Sequence, residues 1–474
     1  MNHSELCFLP ATELAELIRT KEISARETME AHLAQIDKIN PKVNAIVTLL
    51  PDRAMEQAAQ ADEALAQGVP NGPLHGLPIA HKDLVLTKGI RTTFGSPIYQ
   101  DFVPQEDALL VERLRSAGAI TIGKTNTPEF GAGSQTFNEV FGATCNPYDG
   151  TKTCGGSSGG AAVALACGML PLADGSDMGG SLRNPANYCN IVGFRTSPGR
   201  VPHWPAEAAW FPISVDGPMA RTVDDIALML TALAGPDPRS PISIAEAGKL
   251  FEHLPERNFT GVKIAWSRDL GGLPVDPQVT TTIDSSRSVF EDLGCEVIDE
   301  DPDLRDADEI FKVWRAWMFH LKFSPLVAQH AEQLKDTVLW NVEEGRKITG
   351  PQLATIEQKR TQLYHRFRDF METHEFLICP VSQVPPFSID QPYVSEINGH
   401  KMDTYIDWMR SCYYITVTGH PAISVPCGFT DDGLPVGVQI VGRHQNEFGV
   451  LQLARAFERQ TEFWKSRPAI CSSL

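Results

Sequence analysis

No apolar run in the 474-residue sequence reaches the ~20 residues that a membrane-spanning helix requires, so the chain is not expected to cross a bilayer. The N-terminal segment MNHSELCFLPATELAEL has no basic region, apolar core or cleavage site of a secretory signal, which makes the cytoplasm the expected location. Basic residues are also short: 41 Lys and Arg face 59 Asp and Glu, a net charge of −18 that leaves no surplus to neutralise phosphates. Nucleic acids and anionic membranes are therefore excluded as expected partners, and the acid excess reads as a solvated surface. The ten cysteines form neither a C-x-x-C pair nor a Cys/His cluster of zinc spacing; they read as reduced thiols, with no metal expected. Internal repeats and low-complexity segments are absent too. What remains, 42% hydrophobic and 21% charged residues, is ordinary for a globular protein and argues against a disordered or fibrous class. The length suits either one large α/β unit or two to three domains.

Helical spacing of apolar residues runs from Ala11 to about Ile46, with Ser24 and Glu27 patterned as a helix cap and its acid partner. A second, Ala-rich helix is expected over 54–67. Pro70, Gly72 and Pro73 break that helix before Gly76-Leu77-Pro78-Ile79-Ala80, which places Lys82 at a strand end. Residues 106–117 predict a helix and Ala119 to Ile122 a short buried strand. Val262 to Trp266, a helical pattern over 276–293 and Cys295 to Ile298 make a strand–helix–strand unit, for which parallel pairing follows. Two long helices, over 305–330 and 352–373, lead into Phe376 to Pro380; Ala422 to Pro426 and Val436 to Val441 predict buried strands before a last helix. The expectation is one large α/β body over residues 1–474, with a signature core over about 70–220. Gly235 to Pro241 would bound a smaller helical, pocket-forming subdomain over about 240–375.

Gly118-Ala119-Ile120-Thr121-Ile122-Gly123-Lys124-Thr125 formally satisfies the phosphate-loop pattern, but a helix precedes it, its middle is strand-like, and Asn126-Thr127-Pro128 resists a following helix. The stretch 150–200 is Gly- and Ser-rich unlike the rest of the chain, and it holds two further glycine turns. Gly155-Gly156-Ser157-Ser158-Gly159-Gly160 opens a helix of small residues, and Asp174-Gly175-Ser176-Asp177-Met178-Gly179-Gly180-Ser181-Leu182-Arg183 again delivers a serine to a helix start. Acyl transfer needs a nucleophile and, beside it, backbone N–H groups aimed at the oxygen that becomes negative. Gly179 and Gly180 leave the backbone open next to Ser181, which makes the amides of Met178, Gly179, Gly180 and Ser181 the natural oxyanion donors. A serine hydroxyl also needs a base. Gly155 to Gly159 matches the nucleophile-elbow pattern of α/β-hydrolases, yet the preceding Asn146 to Thr153 is a polar loop where an elbow needs a strand. His75, His81 and His420 show no evident acid partner in the sequence and read as structural; Lys82 is the alternative base.

Together, Gly155 to Gly160, Gly179-Gly180-Ser181-Leu182-Arg183 and Leu77-Pro78-Ile79-Ala80-His81-Lys82-Asp83 strongly resemble the amidase-signature family, at matching separations. Similarity continues through Gly123 to Phe130, Val192 to Val201, Gly217 to Thr222 and Gly419 to Pro426, covering nearly the whole chain. The resemblance implies an α/β/α body whose mixed, mainly parallel central sheet is covered by helices. It implies a nucleophile at Ser181, a proton relay at Ser157 after a cis peptide bond, and a neutral base at Lys82, with Ser158, Asp177 and Arg183 supporting the loops. For Lys82 to act near neutrality its pKa must fall from ~10.4, so an alkaline-leaning activity profile is expected. Two departures stand out: Cys154 occupies a position where many members have Pro, and Ser176-Asp177-Met178 replaces a more usual Thr-Asp-Thr.

The implied activity is hydrolysis of the C–N bond of small aryl or alkyl amides, carbamates or amide oligomers, with esters as side substrates, no cofactor, and a homodimer by analogy. Two other functions compete. A glutaminase-type subunit of a tRNA-dependent amidotransferase would resemble its kin in carrying an Asp upstream of Gly419; Met409 stands at that place, with Asp407 two residues away. A non-catalytic binding protein could share the fold, but Lys82, Ser157 and Ser181 are all present. Trp204, Trp210, Phe211, Trp314, Trp317 and Phe319 fall in segments expected to flank the site, as core or lid packing or as the lining of an apolar pocket.

Overall fold

Long runs of β-branched and aliphatic residues buried on both faces form the centre of the molecule. In the computed structural model, which describes residues 3–471, eleven strands make one mixed sheet. Met1 and Asn2, which begin the segment read for a signal sequence, and Ser472 to Leu474 lie outside the described residues. The strands are β1 (Ile46–Leu49), β2 (Pro78–Lys82), β3 (Ile120–Thr125), β4 (Leu172–Asp177), β5 (Val192–Arg195), β6 (Val215–Ala220), β7 (Lys263–Trp266), β8 (Glu296–Asp299), β9 (Phe376–Pro380), β10 (Ala422–Phe429) and β11 (Pro435–Gly442). Their order across the sheet is β1-β3-β2-β4-β6-β5-β10-β11-β9-β7-β8. Pairing is parallel in β3-β2-β4 and in β9-β7-β8 and antiparallel elsewhere. Every residue of β11 and all but the last of β10 are buried, so each aliphatic side chain there contributes about 1.5–3 kcal/mol of transfer free energy.

The expected strand–helix–strand unit is present: β7 and β8 pair in parallel, joined through Pro277–Ser285 and Arg287–Asp292. The helical pattern from Ala11 is two helices, Ala11–Arg19 and Ala25–Val43, and Ile46 starts β1 instead of ending a helix. The second of these has the expected capping box, in which the Ser24 side chain accepts from Glu27 N–H and the Glu27 side chain accepts from Ser24 N–H. Asn44, left-handed at φ 53°, ends it. β6 and the helix Asp336–Arg346 carry no sequence expectation: Gly217 and Pro218 mask the strand pattern, and the helix has a weakly sided apolar face.

Six helices position the site: α1 (Gly159–Ala166), α2 (Arg183–Tyr188), α3 (Ala307–His330), α4 (Asp336–Arg346), α5 (Gly350–Thr373) and α6 (Arg410–Thr418). All eight residues of α1 are buried, and its small side chains let it sit against the sheet. A Cβ at Gly160 would fall 2.3 Å from Asn126 N, so only glycine permits that approach. Helices α3 and α4 pack near the Met178 end of β4, where Phe319, Phe323, Leu334, Val338 and Val342 cluster with Ala132. Among the described residues no helix is long and apolar enough to cross a membrane, and the ten cysteines are free, nine of them buried.

Candidate active site

β2 and β4 are parallel neighbours, so their carboxyl ends, where ligand crevices of such sheets form, bring Lys82 and Asp177 to one edge. Lys82 is fully buried. Its Nζ donates to Ser157 Oγ at 2.7 Å, Ser158 Oγ at 2.9 Å and Ser176 Oγ at 3.1 Å. Among the described residues no carboxylate lies within ion-pair distance of it. Burial pushes the ammonium down to about 7, and Asp177, Asp216 and Asp174, acting through space, offset only part of that fall.

Ser157 follows a cis Gly156–Ser157 bond. Its loop is held from outside by Ser134 Oγ donating to Gly156 O at 3.0 Å and Thr136 Oγ1 donating to Gly155 O at 2.9 Å. Ser158 N–H donates to Ser181 O at 3.3 Å and so ties the two serine loops together. Ser181 is 9% exposed, against 3% for Ser157 and none for Lys82, which makes it the member of the group that an incoming molecule reaches. In this structure the Ser157 and Ser181 hydroxyls are not hydrogen-bonded to each other. Catalytic hydrogen bonds commonly tighten only when substrate is present.

The loop before Ser181 is shaped by Asp177. Its carboxylate accepts from Gly180 N–H at 2.9 Å and Leu182 N–H at 3.1 Å. Of the four amides expected to face an oxyanion, that of Gly180 is thus engaged by a side chain. Those of Met178, Gly179 and Ser181 make no hydrogen bond within the described chain. Gly180 adopts φ +115°, and a Cβ there would lie 2.5 Å from Cys412 Cβ, so both conformation and space require glycine. Arg183 donates to Asp177 Oδ2 at 3.1 Å and Oδ1 at 3.0 Å, to Gln439 Oε1 at 2.6 Å and to Thr416 Oγ1 at 2.9 Å. Arg195 adds bonds to the carbonyl and carboxylate of the same aspartate. Burial alone would raise the Asp177 carboxyl, but the guanidiniums of Arg183 and Arg195 hold it well below the usual carboxylate range.

The structure therefore gathers Lys82, Ser157, Ser158, Asp177, Ser181 and Arg183 in one place. Ser176, Arg195 and Gln439 belong there as well. Ser176 carries a signal only once β4 is known, since period-two alternation then puts it on the same face as Asp174, whereas Gln439 reaches Arg183 from the far end of the chain and left no local signal. His81 has an acid partner after all: Nδ1 lies 2.5 Å from Asp174 Oδ2 and Nε2 3.1 Å from Thr121 Oγ1. Both ring nitrogens are occupied, Asp174 also accepts from Lys82 N–H at 2.9 Å, and the pair braces β2 against β4. His75 and His420 bond only to backbone groups and a threonine hydroxyl. Gly118 to Thr125 forms no phosphate loop: Ile120–Thr125 is all strand, and Lys124 Nζ is buried against Val85 O and Thr87 Oγ1. No strand runs into Gly155 either. Asp407 is buried and paired with Lys312 at 2.8 Å and Arg410 at 3.4 Å.

The aromatic residues divide. Phe211, Trp314 and Trp317 pack together in tilted and edge-to-face contacts with ring centroids 4.9–5.4 Å apart, and Phe319 joins Phe323 at 5.3 Å. Trp204 lies under Arg239 instead, and Trp210 is 75% exposed. Phe311 approaches the loop that carries Ser181, since a Cβ on Gly179 would be 2.9 Å from its Cζ. Among the described residues no group of three or more His, Cys, Asp or Glu side chains converges as a metal-ligand set.

This arrangement has counterparts. The Amidase family profile matches residues 27–451. An acylamidase of Rhodococcus erythropolis is 34% identical, with 99% of each chain covered. A glutamyl-tRNA(Gln) amidotransferase chain of Geobacillus kaustophilus is also 34% identical, covering 97% of this chain and 98% of its own. A solved bacterial aryl acylamidase of the amidase-signature family superposes with a TM-score of 0.91 at 29% identity, over 98% of this chain and 99% of its own. The chain belongs to the amidase (amidase-signature) family and is an enzyme that hydrolyses carbon–nitrogen amide bonds.

Proposed function

We propose that the protein hydrolyses small aryl or alkyl amides through an acyl-enzyme formed on Ser181. The observation that carries this reading is the burial of Lys82 among three serine hydroxyls with no carboxylate at contact; that burial pushes its ammonium down to about 7, which makes a neutral amine available as a base at physiological pH. Neutral Lys82 takes the Ser157 hydroxyl proton while Ser157 takes that of Ser181, and the Ser181 oxygen bonds to the substrate carbonyl carbon. The carbonyl oxygen, now negative, is met by the unbonded amides among Met178, Gly179 and Ser181. Collapse returns the proton through Ser157 to the departing amine as the C–N bond breaks. Water, deprotonated by the same route, then releases the acid and restores Ser181. Ser158 and Ser176 hold the lysine, and the Asp177–Arg183–Arg195 cluster holds the loop that presents Ser181.

The aromatic wall from α3 supports an apolar or aryl group on the substrate. The runner-up reading, a glutaminase-type component of an amidotransferase, draws support from the Geobacillus relative. Against it, Met409 offers a glutamine amine no carboxylate, and Asp407 is already neutralised by two cations.

The test is release of p-nitroaniline from short-acyl anilides, and of ammonia from aliphatic amides and L-glutamine, by the wild type and by Ser181→Ala and Lys82→Ala. Cleavage of anilides or simple amides, lost in both variants, is the expected result. Hydrolysis of glutamine alone would transfer the assignment to the amidotransferase class, and full activity in Lys82→Ala would sink the proton route.

A further inference from the structure

Arg315, on α3, is 5% exposed and lies against the nucleophile loop, with Nη1 3.5 Å from Met178 Sδ. Its neighbours Phe311 and Phe319, one turn to either side, face Gly179 and pack with Phe323 respectively. Buried arginines are normally paired with carboxylates. Among the described residues none lies within ion-pair distance of Arg315, and its Nε has no partner at all. Its remaining contacts are neutral: Nη2 donates to Tyr405 Oη at 2.8 Å, and the guanidinium lies 4.5 Å from the Phe319 ring centroid. Tyr405 Oη also accepts from Asn341 Nδ2 at 2.6 Å, so its own proton remains to be donated.

One chain segment, residues 130–133, runs between this polar cluster and the serines. A Cβ on Gly133 would meet the Tyr405 ring at 4.0 Å, and two residues earlier a Cβ on Gly131 would lie 3.5 Å from Ser157 Oγ. Phe130, beside Gly131, packs on Phe323 of α3 with centroids 4.7 Å apart. An uncompensated cation and a phenol proton thus sit in an otherwise apolar wall, at the tip of the side chain whose backbone amide faces the scissile carbonyl oxygen.

We infer that Arg315, assisted by Tyr405, is a specificity residue that receives a carboxylate on the acyl part of the substrate, so that the preferred amides are monoamides of short dicarboxylic acids. The inference rests on the amide-hydrolase reading and narrows it. The carbonyl oxygen sits on the Met178 backbone, a short methylene chain runs along the Phe311–Phe319 wall, and the terminal carboxylate takes the Nε–H of Arg315 and the Oη–H of Tyr405. The bound anion completes the charge pairing that the chain leaves open.

The experiment compares succinyl- and glutaryl-p-nitroanilide with the uncharged butyryl and valeryl compounds. The wild type is expected to favour the acids in kcat/KM by about tenfold or more. Arg315→Met should lose roughly a hundredfold on the acids while staying within about threefold on the neutral pair, and Tyr405→Phe should show the same bias at smaller size. Equal losses on both pairs would reduce Arg315 to a packing role, and a wild-type preference for the neutral compounds would overturn the assignment without any variant. Calorimetric binding of glutarate, compared with butyramide, to wild type and Tyr405→Phe does not depend on turnover. Glutarate binding that weakens in the variant, in an enzyme that cleaves no anilide, would keep the carboxylate site and discard the aryl-amide reading; no glutarate binding would discard the site.

Discussion

Lys82 and Asp177 end neighbouring parallel strands, and both are buried, but the fold treats their charges in opposite ways. The aspartate is surrounded: two guanidiniums and two backbone N–H groups meet its oxygens. The lysine meets only hydroxyls. Burial disfavours a charge wherever it occurs, and the outcome depends on what replaces the lost water. With counter-charges at contact, Asp177 stays ionised far into acid and serves as a rigid post. With dipoles alone at contact, burial pushes the Lys82 ammonium down to about 7, the range that its proposed role as a base requires. The difference separates a group that holds geometry from one suited to the proton transfer proposed for it.

Substitution at each pole should break the molecule differently. In the lysine region the effect falls on rate: Ser181→Ala and Lys82→Met should each lower kcat roughly ten-thousand-fold, as removal of one member of a catalytic unit does elsewhere. Denaturant unfolding of Lys82→Met should meanwhile show stability unchanged or raised by up to about 2 kcal/mol, because a desolvated cation without a counter-ion is gone. In the aspartate region the effect falls on stability. Asp177→Asn leaves Arg183 and Arg195 buried without their anion and should cost about 3–5 kcal/mol in the same measurement. If Lys82→Met proved the more destabilising of the two, the contrast between the two poles would be wrong.

The pH profile sharpens the comparison further. A base must be neutral to accept a proton, so kcat/KM for a neutral anilide should rise as Lys82 deprotonates, with a midpoint near the pKa of about 7 that burial imposes, and then level off in alkali. A rising limb centred near the ordinary lysine value would mean that the hydroxyl cradle does not tune this group. The smallest effect is expected from Ser176→Ala. It removes one acceptor of the ammonium, the one at 3.1 Å, so the charged form is less favoured and the midpoint should move to lower pH by up to about one unit. The profile of a second alanine variant, Ser158→Ala, should move in the same direction; movement of either toward alkali would reverse the assigned cause.

Much of the architecture and the site was legible in the sequence. The capping box at Ser24, the parallel unit of β7 and β8, the rejection of the phosphate-loop match and the gathering of Lys82, Ser157 and Ser181 all follow from local pattern or from motif resemblance. Strand β6 was hidden because Gly217 and Pro218 interrupt the expected alternation, and β1 because Ile46 carries the helical apolar rhythm on past Asn44, where the chain has already turned out of the helix. The partnership of His81 with Asp174, and that of Arg183 with Gln439, join residues 93 and 256 positions apart, and no window of sequence contains both members.

By itself, the sequence determined the chemical vocabulary: which serines lie on glycine turns, which lysine ends a strand, and how far apart they stand along the chain. Those are local facts, set by backbone freedom and hydrophobic period. Only the tertiary structure decided which charges would be compensated. Pairing Asp177 with Arg195, leaving Lys82 among hydroxyls and leaving Arg315 without an acid depend on which distant segments the sheet and helices bring to contact distance, and electrostatic energy in a buried site is governed by those few ångströms.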